Sequence, residues 1–112
     1  MDSTKQAGQV IPIGVPSNAI CAAITRRLLL TFVYRGHPRV VAPYCHGWTR
    51  AGSQVLRAVQ VRGSSASGGF DFGKLFTVAA MVDIRLTDES FEPDDPDYQP
   101  EDEAIPRLHC RI

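Results

Sequence analysis

The stretch LLLTFVYRGHPRVVAPY, residues 28–44, decides the fold of this chain. Two apolar runs flank the tripeptide Gly36-His37-Pro38, in which glycine permits a positive φ and proline fixes its own φ. Side chains of the first run alternate between two faces, and both faces are largely apolar. We therefore expect a hairpin with strands over about 28–34 and about 39–46, whose first strand is covered on both faces.

The segments on either side of the hairpin extend this pattern. Upstream, Ser17 is placed to cap a helix over about 18–27, whose apolar residues follow helical spacing. Downstream, QVLRAVQVRG at 54–63 alternates as a third strand, and the small residues at 63–73 form a loop. KLFTVAAMVDIRL at 74–86 is too long for one strand, which predicts a break near Ala79-Ala80. This order predicts a mainly β protein, a small antiparallel β-barrel with an N-terminal helix.

The formal net charge of zero hides a strong asymmetry. Residues 1–87 carry ten basic and three acidic side chains, a balance of +7, whereas residues 88–112 carry nine acidic and two basic ones, a balance of −7. We divide the chain into a flexible leader over 1–16, the helix and barrel over 17–87, and an extended, acidic, proline-rich tail over 88–112. The tail is expected to dock on the barrel through spaced apolar residues, Phe91, Tyr98 and Ile105.

The cysteines and the N-terminal segment favour a cytoplasmic protein. Cys21, Cys45 and Cys110 follow no disulfide spacing and are odd in number, so we expect free thiols in a reducing compartment. We expect neither a signal peptide nor a membrane partner, because no long apolar run is present. An enzyme is not expected either, since no nucleophile is paired with an oriented base and no P-loop occurs.

A metal site is considered at Cys45-His46 and at His109-Cys110, because cysteine and histidine are the ligands that zinc prefers. Neighbouring residues on a strand point to opposite faces, however, so neither pair is expected to supply two ligands to one ion. We therefore predict no metal and no cofactor.

Basic and aromatic residues gather around the hairpin and the third strand. Arg35, His37 and Arg39 share one turn, Arg57 and Arg62 lie on a neighbouring strand, and the aromatic rings nearby are suited to stacking on bases. The aromatic residues are Tyr34, Tyr44 and Trp48. The alternative is that the arginines keep a small barrel soluble and that the rings belong to the core.

Several stretches, taken in order, resemble the WYL domain family. RLLLTFVYRGHPRVVAPY at 27–44 is similar to the opening of that domain, GSQVLRAVQV at 52–61 stands where the family has its Trp-Tyr-Leu strand, and KLFTVAAMVDIRLTDESFEP at 74–93 stands where it has its closing strands. The tryptophan and tyrosine of the signature are Gln54 and Val55 here, and Leu56 matches. Together with FEPDDPDYQPEDEAI at 91–105, the chain looks like a small stand-alone bacterial subgroup.

The resemblance implies an Sm-like, SH3-type barrel and a non-enzymatic module that binds a ligand or nucleic acid in bacterial regulators and phage-defence systems. It also implies a polar lining of Tyr34, Arg35, Arg39, Arg57 and Lys74. With His37 and Tyr44 added from the hairpin, these residues are our candidate site for nucleic acid or a small anionic ligand. The alternative is an interaction module that docks a protein partner, or a second copy in a homodimer, through the barrel edge and the tail.

Overall fold

The structure is a computed structural model that describes residues 16–63, 73–96 and 98–112. Within these ranges it contains one α-helix, one turn of 3₁₀ helix and six β-strands. In chain order they are α1 (Pro16–Arg26), β1 (Leu28–Tyr34), β2 (His37–Trp48), β3 (Gln54–Gly63), β4 (Lys74–Thr77), the 3₁₀ helix (Val78–Ala80), β5 (Met81–Ser90) and β6 (Arg107–Arg111).

The predicted hairpin, third strand and break before β5 are confirmed. The strands form one antiparallel sheet in the order β4-β3-β2-β1-β5, and β6 pairs with β2. The first half of β2 pairs with β1, starting from Tyr34 opposite His37. Its second half pairs with β6, ending with Trp48 opposite Arg107. Because β3 runs along the other edge of β2, this long strand is the centre of the sheet.

Different parts of the chain cover the two faces of the sheet. Leu30 and Phe32 of β1 join a buried cluster with Ile24 of α1. Leu29, which points the other way, joins a second buried cluster with Ile105, which belongs to the segment between β5 and β6 that we call the C-terminal segment. Two partly buried rings of the same segment, Phe91 and Tyr98, pack against this second cluster. The first strand is therefore covered on both faces, as its two apolar faces predicted.

The predicted closed barrel is wrong, because the sheet is open. Its edge strands, β4 and β5, form no ladder with each other in the described part of the chain. A barrel closes only when edge strands pair at a matched tilt and stagger. β4 has only four residues, and the β1–β5 pairing is irregular around Asp83, which has a φ of 57°. Side chains that follow β5, among them Phe91, Tyr98 and Ile105, pack instead on one face of the open sheet.

Some predictions concern residues outside the described ranges. The leader predicted for 1–16 and the loop predicted for 63–73 fall almost wholly there, as does the side chain of the predicted cap Ser17. The region predicted as an extended tail contains the end of β5 and all of β6. Among the described helices, none has the length and apolar character needed to cross a membrane.

Candidate functional site

Three of the predicted binding residues meet at the turn between β1 and β2. The guanidinium carbons of Arg35 and Arg39 lie 5.5 and 5.2 Å from the centroid of the Tyr34 ring. Arg35 is exposed and has a φ of 54°. Tyr34 is buried, and its hydroxyl accepts a hydrogen bond of 3.1 Å from the backbone N–H of Thr77. The Tyr34 ring is thus part of the core and not a surface platform for a base.

Arg39 is a buried cation rather than a surface one. Arg39 is only 5% exposed. Its guanidinium donates hydrogen bonds of 3.3 Å to Gln60 Oε1 and to the carbonyl oxygen of Tyr34. Burial lowers the pKa of Arg39. Its Nε has no hydrogen-bond partner among the described residues. We conclude that Arg39 joins the hairpin to β3, which leaves Arg35 as the exposed charge at this turn.

A pocket of about 340 Å³ brings together two other predicted residues, Tyr44 and Arg57. It lies between β3 and the C-terminal segment, and we call it the C-terminal pocket. The remaining polar lining, which sequence reasoning missed, comes from that segment and consists of Asp95, Tyr98, Gln99, Asp102 and Glu103. These residues follow no motif; the sequence indicated only that the segment is rich in acidic residues and that Tyr98 is one of its spaced apolar residues.

An ion pair holds the C-terminal segment to β3 inside this pocket. Arg57 Nε donates a hydrogen bond of 2.7 Å to Asp102 Oδ2, and Arg57 Nη1 donates to the carbonyl oxygen of Gly73. Burial alone raises the pKa of Asp102, but hydrogen bonds from Arg57 and from the backbone N–H of Ala104 outweigh it and lower the pKa overall. The charge of Arg57 is therefore already compensated before any ligand binds.

The tyrosines of the pocket are anchored by the same segment. Tyr44 packs against the rings of Phe91 and Tyr98 at centroid distances of 5.8 and 5.1 Å. Its hydroxyl accepts a hydrogen bond of 3.1 Å from the backbone N–H of Asp95, and burial raises its pKa. The Tyr98 hydroxyl is buried and makes no hydrogen bond of normal geometry within the described ranges, although the Arg111 guanidinium is close enough to affect its pKa, which burial raises overall.

His37 and Lys74 complete the predicted set and lie at separate places. His37 is half-buried and pairs with Tyr34 across the hairpin. Lys74 is half-buried and pairs with Ala58, a residue that lines the C-terminal pocket. The predicted residues therefore divide between the hairpin turn and the pocket and do not form one site.

The acidic part of the chain also neutralises a second arginine of β3. Arg62 donates hydrogen bonds of 3.1 and 2.7 Å to the two carboxylate oxygens of Glu89. This pairing raises the pKa of Arg62 and lowers that of Glu89. Exposed ion pairs add little stability. Arg57 and Arg62 are thus both paired with carboxylates that follow β4 in the chain, Arg57 in a part-buried pair and Arg62 in an exposed one.

A separate group of side chains, Cys21, His46, His109 and Cys110, converges where α1, β2 and β6 meet. We call it the Cys–His cluster. Cys21 and Cys110 form a disulfide with a Cα–Cα distance of 5.9 Å, so the prediction that these thiols are free is wrong. Cys45 is free and buried, and burial raises its pKa to about 11.

A β-bulge brings neighbouring residues of β6 into the same cluster. His46 pairs with Cys110 and Gly47 pairs with Leu108, which leaves His109 as the extra residue between them. Bulges redirect a side chain relative to the regular alternation of a strand. His109 Nδ1 therefore lies 3.2 Å from Cys21 Sγ, although Cys21 is bonded to the adjacent Cys110. The alternation argument against a shared site at His109-Cys110 fails for this reason.

Comparison with protein-family models, curated proteins and solved structures finds no match to this chain.

Proposed function

We propose that the protein is a non-enzymatic, cytoplasmic regulatory module of the WYL type, and that it binds a small ligand in the C-terminal pocket. The observation that carries this proposal is the pocket itself, in which Tyr44 and Arg57 meet the acidic segment. The sequence resemblance supports the WYL assignment. The order of one helix, three strands, a short strand, a 3₁₀ turn and a further strand supports an Sm-like or SH3-type arrangement, here in an open sheet.

The charge of the C-terminal pocket favours a cationic ligand over an anionic one. Its lining holds the carboxylates of Asp95, Asp102 and Glu103 against one guanidinium, that of Arg57. Arg57 is already paired with Asp102, and the carboxylate of Glu103 adds negative charge to the lining. The rings of Tyr44 and Tyr98 supply apolar area and a hydroxyl. A small amine with an apolar body matches this combination, since pockets of this kind pair apolar walls with a few placed polar groups.

Nucleic acid is a weaker candidate for the same module. Binding to a polyanion requires several cations free to neutralise phosphates and rings free to stack. Arg57 and Arg62 are paired with carboxylates, Arg39 is buried, and the rings of Tyr34 and Tyr44 are buried. Among the arginines of the predicted site, only Arg35 is exposed; other exposed arginines, such as Arg26, Arg27 and Arg50, lie outside that site.

The alternative function, docking of a partner or a second copy along a sheet edge, is favoured by one observation. Val82 of the edge strand β5 is 58% exposed. The same strand also carries the irregularity at Asp83 and the exposed charge of Arg85, which are features that discourage edge pairing. We therefore rank this alternative second.

Calorimetric titration of the full chain with 1,4-diaminobutane, with inorganic phosphate and with single-stranded and duplex oligonucleotides at two salt concentrations tests the proposal. We expect binding of the diamine that weakens several-fold in Glu103→Gln. Glu101→Gln is the matched control, because Glu101 is an exposed carboxylate of the same segment that does not line the pocket. Binding of an oligonucleotide with a steep salt dependence, and none of the diamine, would overturn the small-ligand proposal.

A further inference from the structure

We propose that the Cys–His cluster is a zinc site in the reduced protein, with Cys21, His46, His109 and Cys110 as its four ligands. The ligand atoms of these residues all lie within 4.8 Å of one another. Two cysteines and two histidines are a donor set that zinc takes in closed, tetrahedral, structural sites. The cluster shares no residue with the C-terminal pocket, so this proposal stands independently of the proposed function.

The spacing of the ligand atoms is close to that of a zinc tetrahedron. Typical zinc–ligand distances put two nitrogens about 3.3 Å apart, a nitrogen and a sulfur about 3.6 Å apart, and two sulfurs about 3.8 Å apart. His46 Nδ1 and His109 Nδ1 are separated by 3.1 Å. Cys21 Sγ lies 3.2 Å from His109 Nδ1 and 3.9 Å from His46 Nδ1. To reach the zinc geometry, Cys21 Sγ and Cys110 Sγ must separate, because these two atoms are bonded in this structure.

His46 is held in the orientation that a ligand needs. Its Nε2 lies 2.8 Å from Gln54 Oε1, an acceptor, so Nε2 carries the proton. Nδ1 is then the unprotonated nitrogen, and it is the atom directed at His109 and Cys21. A hydrogen bond from the second ring nitrogen to a fixed acceptor is the usual way in which a protein orients a metal-binding histidine. Gln54 is thus the positioning residue of the site.

The disulfide and the zinc site are two states of the same cysteine pair. A dithiol reduces the disulfide, becoming a cyclic disulfide itself and leaving Cys21 and Cys110 as thiols. Zinc then binds the two sulfurs and displaces their two protons. In the reverse direction, glutathione disulfide takes two electrons from the zinc-bound thiolates and two protons from solvent to become two thiols, while the bond between Cys21 and Cys110 forms and Zn²⁺ leaves. Both states connect α1 to β6, so the C-terminal strand stays attached in reducing and oxidising conditions.

The test uses the full chain in its oxidised form and after reduction with dithiothreitol, which is then removed under nitrogen. Each form is titrated with Co²⁺ and with Zn²⁺ in competition with a chromogenic chelator. We expect the reduced form to bind one ion per chain, with the visible bands of tetrahedral cobalt and a sulfur-to-cobalt charge-transfer band. Trp48, the single tryptophan, provides a second signal, because its ring lies 5.7 and 5.5 Å from those of His46 and His109. Cobalt is expected to quench its fluorescence.

Variants separate the metal site from the disulfide. His109 is exposed and takes no part in the disulfide, so His109→Gln is expected to keep the oxidised fold while losing more than 100-fold in zinc affinity in the reduced form, beyond the range typical of outer-shell changes. Leu108→Gln is the matched control, since it places the same residue at the exposed neighbouring position of β6. Cys45→Ala removes the remaining thiol and is expected to leave the cobalt spectrum unchanged. Gln54→Ala is expected to lower the zinc affinity of the reduced form 10- to 100-fold.

Three results would overturn the proposal. The first is a reduced protein, verified by thiol counting, that binds no stoichiometric metal or binds cobalt without the charge-transfer band. The second is a His109→Gln variant that binds zinc as tightly as the unaltered chain. The third is a disulfide that dithiothreitol leaves intact in the folded protein.

Discussion

His46 Nδ1 lies 3.1 Å from His109 Nδ1, although the two residues are 63 positions apart in the sequence. This contact joins the central strand β2 to the C-terminal strand β6, beside the disulfide between Cys21 and Cys110. It depends on the bulge at His109, which directs that ring toward the residues facing α1. Four side chains with affinity for metals are concentrated at one point where helix and sheet meet.

Gly47 allows β6 to approach β2 at this point. A Cβ at residue 47 would overlap the carbonyl oxygen of Arg107 and the side chain of Ile105. Gly47→Ala is therefore expected to force β6 outward and to lower the free energy of unfolding by about 1–3 kcal/mol, as overpacking does. Denaturant unfolding measures this loss. Faster reduction of the Cys21–Cys110 disulfide is the second expected result, and unchanged stability and reduction would contradict the close approach.

Phe32 belongs to a buried group of three aromatic rings. Its ring lies 5.1 Å from that of Phe76 and 6.2 Å from that of Tyr34, both in edge-to-face geometry. Phe32→Ala is expected to cost about 3–5 kcal/mol, the usual penalty for removing a buried ring. Chemical denaturation followed by circular dichroism is the measurement. Phe91→Ala, at a partly buried ring on the opposite face, serves as the comparison and is expected to cost less.

Replacement of the two arginines of the hairpin is expected to change the free energy of unfolding by very different amounts. Arg35→Ala should leave the free energy of unfolding nearly unchanged, because Arg35 is exposed. Arg39→Ala should cost about 2–4 kcal/mol, since it removes hydrogen bonds to Gln60 and Tyr34 together with ring contacts to Tyr34 and Phe76. Equal stability of the two variants would show that Arg39 does not connect the hairpin to β3.

The Arg57–Asp102 pair predicts a pH dependence of stability. The pKa of Asp102 in the folded protein lies below its ordinary value of 3.8. The ionised carboxylate therefore stabilises the fold at pH values above about 3.8, and this contribution is lost as the pH falls through the folded-state pKa. Asp102→Asn is expected to be less stable than the unaltered chain at neutral pH, with the difference shrinking in acid. Unfolding curves from pH 7 to pH 2 test this, and a constant difference across that range would contradict it.

The sequence determined the elements whose signal is local. Alternating apolar residues on both sides of Gly36-His37-Pro38 were sufficient for β1 and β2, because a strand's side-chain period is the same wherever it lies. The length of the run at 74–86 was sufficient to predict a break between two strands, and the structure has a 3₁₀ turn at that place. The predicted residue set at the hairpin was also local, but adjacency in sequence did not reveal that Arg39 points inward while Arg35 stays exposed.

Only the tertiary structure decided how distant segments meet. Barrel closure depends on whether edge strands pair, and no local pattern reports that β4 is too short or that β5 is irregular. The C-terminal pocket exists because the segment around Asp102 returns to Arg57 of β3. The Cys–His cluster depends on a one-residue change of register between β2 and β6, which reverses the alternation at His109. Register is a property of two paired strands, so neither strand's sequence contains it alone.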